Sequence, residues 1–171
     1  MKRILTQLFL TIAFFTSNAQ QINFVEYDLE NGLHVILHQD NSAPVVSATL
    51  QFHVGSKDED DGLKGFAHLF EHMLGKETKN MDSGQWGKIY SARGGSGNAS
   101  TSVDLTNYYV TVPSNSLKLA LWRYSEIMLH PIIEQETIDI QREAVKEEKR
   151  LRYNQPYIPR FYDYLKRNFF K

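Results

Sequence analysis

His68, Glu71 and His72 are the residues of this chain whose types and spacing most directly suggest chemistry. On a helix they stand at i, i+3 and i+4, so both imidazoles leave one face, a turn apart, and can converge on a single cation. That is half of a zinc site. On the helical wheel Leu63, Phe66, Ala67, Leu69, Phe70, Met73 and Leu74 centre on one direction, and both histidines lie roughly 150 to 170° from it. Glu71 falls between the two directions, where its carboxylate can reach a water on such a cation without ligating it. The alternative is a solvated polar face, since a His-x-x-Glu-His run arises by chance in a chain of this composition with odds of about one in a hundred.

A hydrolytic zinc site usually takes three protein ligands and keeps one position for water, so a third ligand is expected. A helical pattern from about Glu134 to Tyr153 offers Glu143, Glu147 and Glu148. Its apolar face is defined by Ile138, Ile140, Ala144, Val145 and Leu151; Glu148 falls within roughly 20° of the centre of that face, Glu147 about 80° away and Glu143 further still. A carboxylate on an apolar face is costly unless a cation offsets it. The readings are a metal, a salt bridge to Arg142 or Arg152, or a helix phase that differs from the wheel's.

Composition narrows the possibilities. The 171 residues are 42% hydrophobic and 23% charged, which suits one ordinary globular domain. A formal net charge of −1 gives no basic field to attract nucleic acid. There are no cysteines, which excludes disulfides, thiolate metal sites and a cysteine nucleophile, so any metal must use imidazole and carboxylate. Met1, Lys2 and Arg3 precede an apolar stretch from Ile4 to Phe15 and then Ser17, Asn18 and Ala19, the pattern of a secretory signal peptide cut after Ala19. The stretch is too short to serve as a membrane anchor. Residues 20–171 are then expected in an exported compartment, periplasmic or secreted.

The elements that must position these residues follow from local patterns. Val25 to Leu29 and Leu33 to His38 flank Glu30-Asn31-Gly32 and predict a hairpin. Val45 to Val54 predicts a third strand, and Gly62 to Leu74 a helix that follows the acidic run Asp58 to Asp61. Lys76 to Gly87 reads as a polar loop or a short irregular crossing, Gly94 to Gly97 as a turn, and Ala99 to Val112 as one long strand closed by Pro113. Helices are expected from Ser114 or Asn115 to about Leu129, stopped by His130-Pro131, and from about Glu134 to Tyr153. A further helical pattern, with Phe161, Tyr164, Leu165 and Phe169, runs to the last residue, so the sequence is expected to stop within a domain. The order of elements predicts an α+β fold, a mostly antiparallel sheet packed against helices.

These residues carry a family resemblance. His68-Leu69-Phe70-Glu71-His72, with Glu148 placed 76 positions after His72, resembles the inverted zinc motif of the inverzincin metallopeptidases: pitrilysin, insulin-degrading enzyme and mitochondrial processing peptidase. The likeness extends through Asn31-Gly32-Leu33, Ala43-Pro44-Val45-Val46, Gly55-Ser56, Gly65-Phe66-Ala67, Gly94-Gly95, Asn98-Ala99, Thr101, Asp104, Thr106, Tyr108 and Gln141-Arg142-Glu143. It spans roughly residues 24 to 160 and is similar to the amino-terminal catalytic domain of that family.

The resemblance implies one zinc ion held by His68, His72 and Glu148, with Glu71 as the general base that takes a proton from the attacking water and passes it to the leaving amine. It also implies that the strand carrying Asn98 and Ala99 pairs with an extended peptide substrate. Read without the family, Asn98 is equally a turn residue after the glycines. Two positions depart from the family pattern: Gln141 stands where a second glutamate commonly supports the site, and Gly75-Lys76-Glu77-Thr78 replaces the usual Phe-x-Gly-Thr. Family members also use a second, non-catalytic half that closes over the substrate, so a homologous partner half is expected. The absence of cysteine excludes the S-ribosylhomocysteine lyase type, whose third ligand is a thiolate. The remaining rival is a non-catalytic or partner-dependent subunit of the same fold.

Overall fold

A computed structural model describes residues 22–155 and 157–169. The expected signal segment and its cut after Ala19 lie outside the described residues. Contacts divide the chain into two compact units meeting at Ala43 and Pro44.

The first unit holds an antiparallel hairpin of β1 (Val25–Asp28) and β2 (His34–Leu37), in the register Val25 to Leu37. Its loop closes by Gly32 N–H donating to the Leu29 carbonyl at 2.8 Å, with Gly32 at φ 83°, a conformation glycine adopts without steric cost. The Asn-Gly pair thus makes a turn, as the sequence predicts.

The second unit is built on a three-stranded antiparallel sheet in the order β3 (Val45–Phe52), β5 (Thr106–Pro113), β4 (Ser96–Thr101). Inner-face pairs run Val46 to Val112, Ala48 to Val110 and Leu50 to Tyr108, and β4 adds Ala99 opposite Tyr108 and Thr101 opposite Thr106. The other face is polar, with Ser47 bonded to Thr111 and Gln51 to Asn107. One buried and one polar face are what alternation along an antiparallel strand produces. The helices are α1 (Phe66–Leu74), α2 (Gln85–Ala92), α3 (Leu117–Leu129), α4 (Gln135–Tyr153) and α5 (Ile158–Phe169). α3 lays Ala120, Tyr124 and Ile127 on the sheet, and the Tyr124 hydroxyl donates to the Ala48 and Tyr108 carbonyls at 2.6 and 3.0 Å, locking helix to strands.

Two sequence expectations are corrected. The single strand expected over Ala99 to Val112 is two strands, β4 and β5, joined by a tight turn in which Ser102 N–H donates to the Leu105 carbonyl at 2.8 Å and Leu105 N–H donates to the Ser102 hydroxyl. That turn contains no glycine or proline; Ser102 and Asp104 are its turn-favouring residues, a weaker mark inside a run rich in Thr, Val and Tyr. The polar loop expected over Lys76 to Gly87 runs into α2, whose Trp86, Ile89 and Tyr90 sit at i, i+3 and i+4 and pack into the core. Gly87 hides the pattern, and α3 supplies the compensation: the Arg123 guanidinium lies 5.4 and 5.5 Å from the Trp86 and Tyr90 ring centres. The loop itself is tied to the end of α3, where the buried Glu126 carboxylate accepts from Asn80 Nδ2 at 3.0 and 3.1 Å and Lys79 N–H donates to the His130 carbonyl.

Candidate functional site

The helix that carries the motif begins at Phe66, four residues later than the pattern predicts, because Gly65 turns the chain with φ 97°. Glu59, from the acidic run, accepts from Gly65 N–H through Oε2 and from Ala67 N–H through Oε1, both at 2.9 Å. A carboxylate thus satisfies two free donors at the positive end of α1 and fixes where the helix starts. At the other end the buried Tyr108 hydroxyl donates to the Glu71 carbonyl at 3.1 Å. Burial, reinforced by the neighbouring Glu71 carboxylate, pushes this phenol above its ordinary range, so it stays a neutral donor.

His68 and His72 turn toward α4. Their Nε2 atoms lie 3.2 Å apart, and Glu148 Oε2 lies 3.5 Å from the first and 3.6 Å from the second. The two rings meet edge to face at 4.7 Å. Four-coordinate zinc with ligands about 2.0 to 2.1 Å away has ligand-to-ligand edges of about 3.3 Å, so one ion could touch all three atoms at ordinary bond length. Among the described residues, His68, His72 and Glu148 are the group of imidazole and carboxylate side chains compact enough to hold a metal. His72 Nδ1 faces Gln141 Oε1 at 3.4 Å. An amide oxygen only accepts, so this contact is a hydrogen bond in the tautomer with the hydrogen on Nδ1, which is also the one that leaves Nε2 its lone pair for an ion.

Glu148 is where the wheel places it, but its surroundings differ from the expectation. Ile140 and Leu151 are 58% and 57% exposed, so only part of the expected apolar face is covered; half-buried Ile138 and Val145 share the inner face with Gln141, 6% exposed, and Glu148. The two cations weighed for Glu148 are also not alternatives. Its Oε2 faces the histidines while its Oε1 accepts from Arg152 Nη2, and Arg142 pairs instead with Asp139 at 3.0 Å. Glu147 is bonded to Arg150 and Glu143 to Lys146, both away from the histidines.

Glu71 meets the end of β4 and is 8% exposed. Its Oε2 accepts from the Thr101 hydroxyl at 2.6 Å. Thr101 ends β4, which places Asn98 and Ala99 on the same strand. Asn98 is therefore a strand residue paired with Tyr109 and not a turn residue. β4 is an edge strand of its sheet. Behind Glu71 a cavity of about 530 Å³ opens between α1 and the end of β3, lined by Phe52, Leu63, Phe66, Phe70 and Leu74 among others. Phe66 and Phe70 line it and are 48% and 38% exposed, so the apolar face of α1 is only partly buried. The acidic run before the helix is the sequence signal that contains Glu59, while Thr101 as a partner of Glu71 depends on a contact across the fold.

Residues 34–171 match the family model described as insulinase (peptidase family M16). The chain is 35% identical over 125 residues to the zinc protease PqqE of Helicobacter pylori, covering 72% of this chain and 28% of that protein. It is 34% identical over 122 residues to human insulin-degrading enzyme, covering 71% of this chain and 12% of that one. The crystal structure of pitrilysin superposes with a TM-score of 0.69 at 28% identity, over 77% of this chain and 14% of pitrilysin. The chain thus spans under a third of the length of these relatives. A match covering the helix with its two histidines, the three-stranded sheet and the helix with Glu148 joins this geometry to a known lineage: the chain belongs to the insulinase family, peptidase family M16.

Proposed function

We propose that this chain is the amino-terminal catalytic part of a zinc-dependent endopeptidase that hydrolyses peptide bonds in extended peptides or small unfolded proteins. The observation that carries the reading is the triangle of His68 Nε2, His72 Nε2 and Glu148 Oε2, with edges of 3.2, 3.5 and 3.6 Å. Relatives named as zinc proteases support the choice of metal. His68, His72 and Glu148 would hold the ion, which supplies Lewis acidity and lowers the pKa of a bound water toward about 7.

The chain's own residues do the rest. Glu71, adjacent to His72 and oriented by Thr101, accepts a proton from the attacking water and later delivers it to the leaving amine. Its Oε1 is the oxygen left for that exchange. An extended substrate adds to the free edge of β4 beside Asn98 and Ala99, which brings its backbone toward the end of the strand where Thr101 meets Glu71. Gln141 orients His72. Because the chain covers a minor share of each relative's length, full activity is assigned to an assembly with a second homologous half; the exported compartment rests on the amino-terminal signal pattern.

The test is metal content followed by one substitution. Purified chain supplied with zinc should retain about one ion per chain. Glu71→Gln should keep that ion and abolish hydrolysis in an active assembly. A wild-type chain that stays metal-free overturns the site, and loss of metal in Glu71→Gln reassigns Glu71 as a ligand.

A further inference from the structure

Glu148 has two oxygens in two different environments. Oε2 lies 3.5 and 3.6 Å from the histidine nitrogens, and Oε1 is held by Arg152 Nη2 from one turn further along α4. The two positions follow from helix geometry, since residues four apart share a face. Arg152 is itself 67% exposed, and an ion pair of that kind adds little to stability. Its consequence is directional. A carboxylate free at both oxygens can rotate, or can wrap both oxygens around one cation; with Oε1 engaged by a guanidinium, a single oxygen remains for the ion position. Arg150 makes a comparable pair with Glu147 on the same helix, yet neither of those residues faces the histidines.

We propose that Arg152 is a positioning residue that fixes Glu148 as a one-oxygen ligand. The proposal rests on His68, His72 and Glu148 being the metal site. It gives a sign opposite to that of simple electrostatics. A positive charge near a cation site repels the ion, so its removal would tighten metal binding if charge were all that mattered. Loss of a positioning contact instead weakens binding, and partners of metal ligands are commonly worth tenfold or more in affinity.

The experiment measures zinc affinity by competition with a chelator in wild type, Arg152→Met and Arg150→Met, with thermal melting of each metal-free chain to verify folding. Arg152→Met is expected to bind zinc about tenfold more weakly, and Arg150→Met within about twofold of wild type. Co2+ in place of zinc reports the same difference in its visible bands: those of Arg150→Met coincide with wild type and those of Arg152→Met do not. Unchanged or tighter zinc binding by a folded Arg152→Met, or equal losses in both variants, overturns the role of Arg152 while leaving the site intact. A wild-type chain that takes up no zinc overturns both.

Discussion

The Thr101 hydroxyl donates a 2.6 Å hydrogen bond to Glu71 Oε2, joining the end of an edge strand to the middle of the motif helix. Thr106, opposite Thr101 in the sheet, sends its own hydroxyl to the Val54 carbonyl at 3.0 Å, so Thr101 is supported without competing for that proton. Thr101→Val keeps the shape and removes the donor. It should retain zinc and lower kcat for a quenched fluorescent peptide in the active assembly on the order of tenfold or more, because a general base loses its fixed orientation. Thr101→Ser should recover most of that loss. Equal kcat in wild type and Thr101→Val would show that the base needs no such anchor.

Much of this site is visible in the residues, and the reason is helix periodicity. His68 and His72 are one turn apart, and the wheel singles out Glu148 on a second helix while leaving Arg142 or Arg152 open as its partner; the family resemblance is what names it a ligand. The same wheel draws the apolar face too wide: Ile140, Ala144 and Leu151 stay exposed, and the inner face mixes half-buried Ile138 and Val145 with Gln141 and Glu148. Contacts between elements leave no periodic trace. Thr101 reaches Glu71 across 30 positions of sequence, and α2 is stabilised by Arg123 over Trp86 and Tyr90, a contact supplied by another helix. The β4–β5 turn is only faintly marked, by Ser102 and Asp104, and Ser102 closes it by accepting from Leu105 N–H where glycine or proline would announce it more strongly.

Glu147 and Glu148 are neighbours with separate partners, which allows a ranking. Glu147 is bonded to Arg150 and Glu148 faces the histidines. Glu148→Ala should weaken zinc binding at least a hundredfold by isothermal titration, since one of three protein ligands is lost, while Glu147→Ala should stay within about threefold. The reverse order would mean that α4 presents a different face to α1.

Glu126 sets an acid limit on the fold. Burial alone would push its carboxyl up, but the Asn80 amide donors and nearby His130 outweigh this and hold it below its ordinary value. A carboxyl depressed in the folded state contributes stability at neutral pH that is lost as pH falls through that folded value. Melting curves from pH 7 to 3 should therefore show wild type losing its advantage over Glu126→Gln as acid protonates the group, with the two converging at the acid end. Parallel curves would mean that the Asn80 contact does not depend on the charge.

The amino-terminal pattern makes a separate prediction. Expressed in a bacterium that exports it, the protein should be cut after Ala19 and begin at Gln20, which intact-mass measurement of the secreted or periplasmic fraction would detect. An uncut chain retained in the cytoplasm would remove the exported setting from the reading and leave the metal site untouched.

Gln141 offers the most direct test of how the histidines are tuned. Its amide oxygen lies 3.4 Å from His72 Nδ1, a long contact to a neutral acceptor. A carboxylate there would draw the imidazole proton more strongly and make Nε2 a better donor to a metal. It would also bring a second negative charge beside Glu148 in a position only 6% exposed, which costs stability while no cation is bound. The two effects separate experimentally. Gln141→Glu should lower the melting temperature of the metal-free chain, raise zinc affinity about tenfold and gain more thermal stability from zinc than wild type does. If zinc binds no tighter although the metal-free chain is destabilised, the contact to Gln141 is packing alone and His72 takes its orientation from α1.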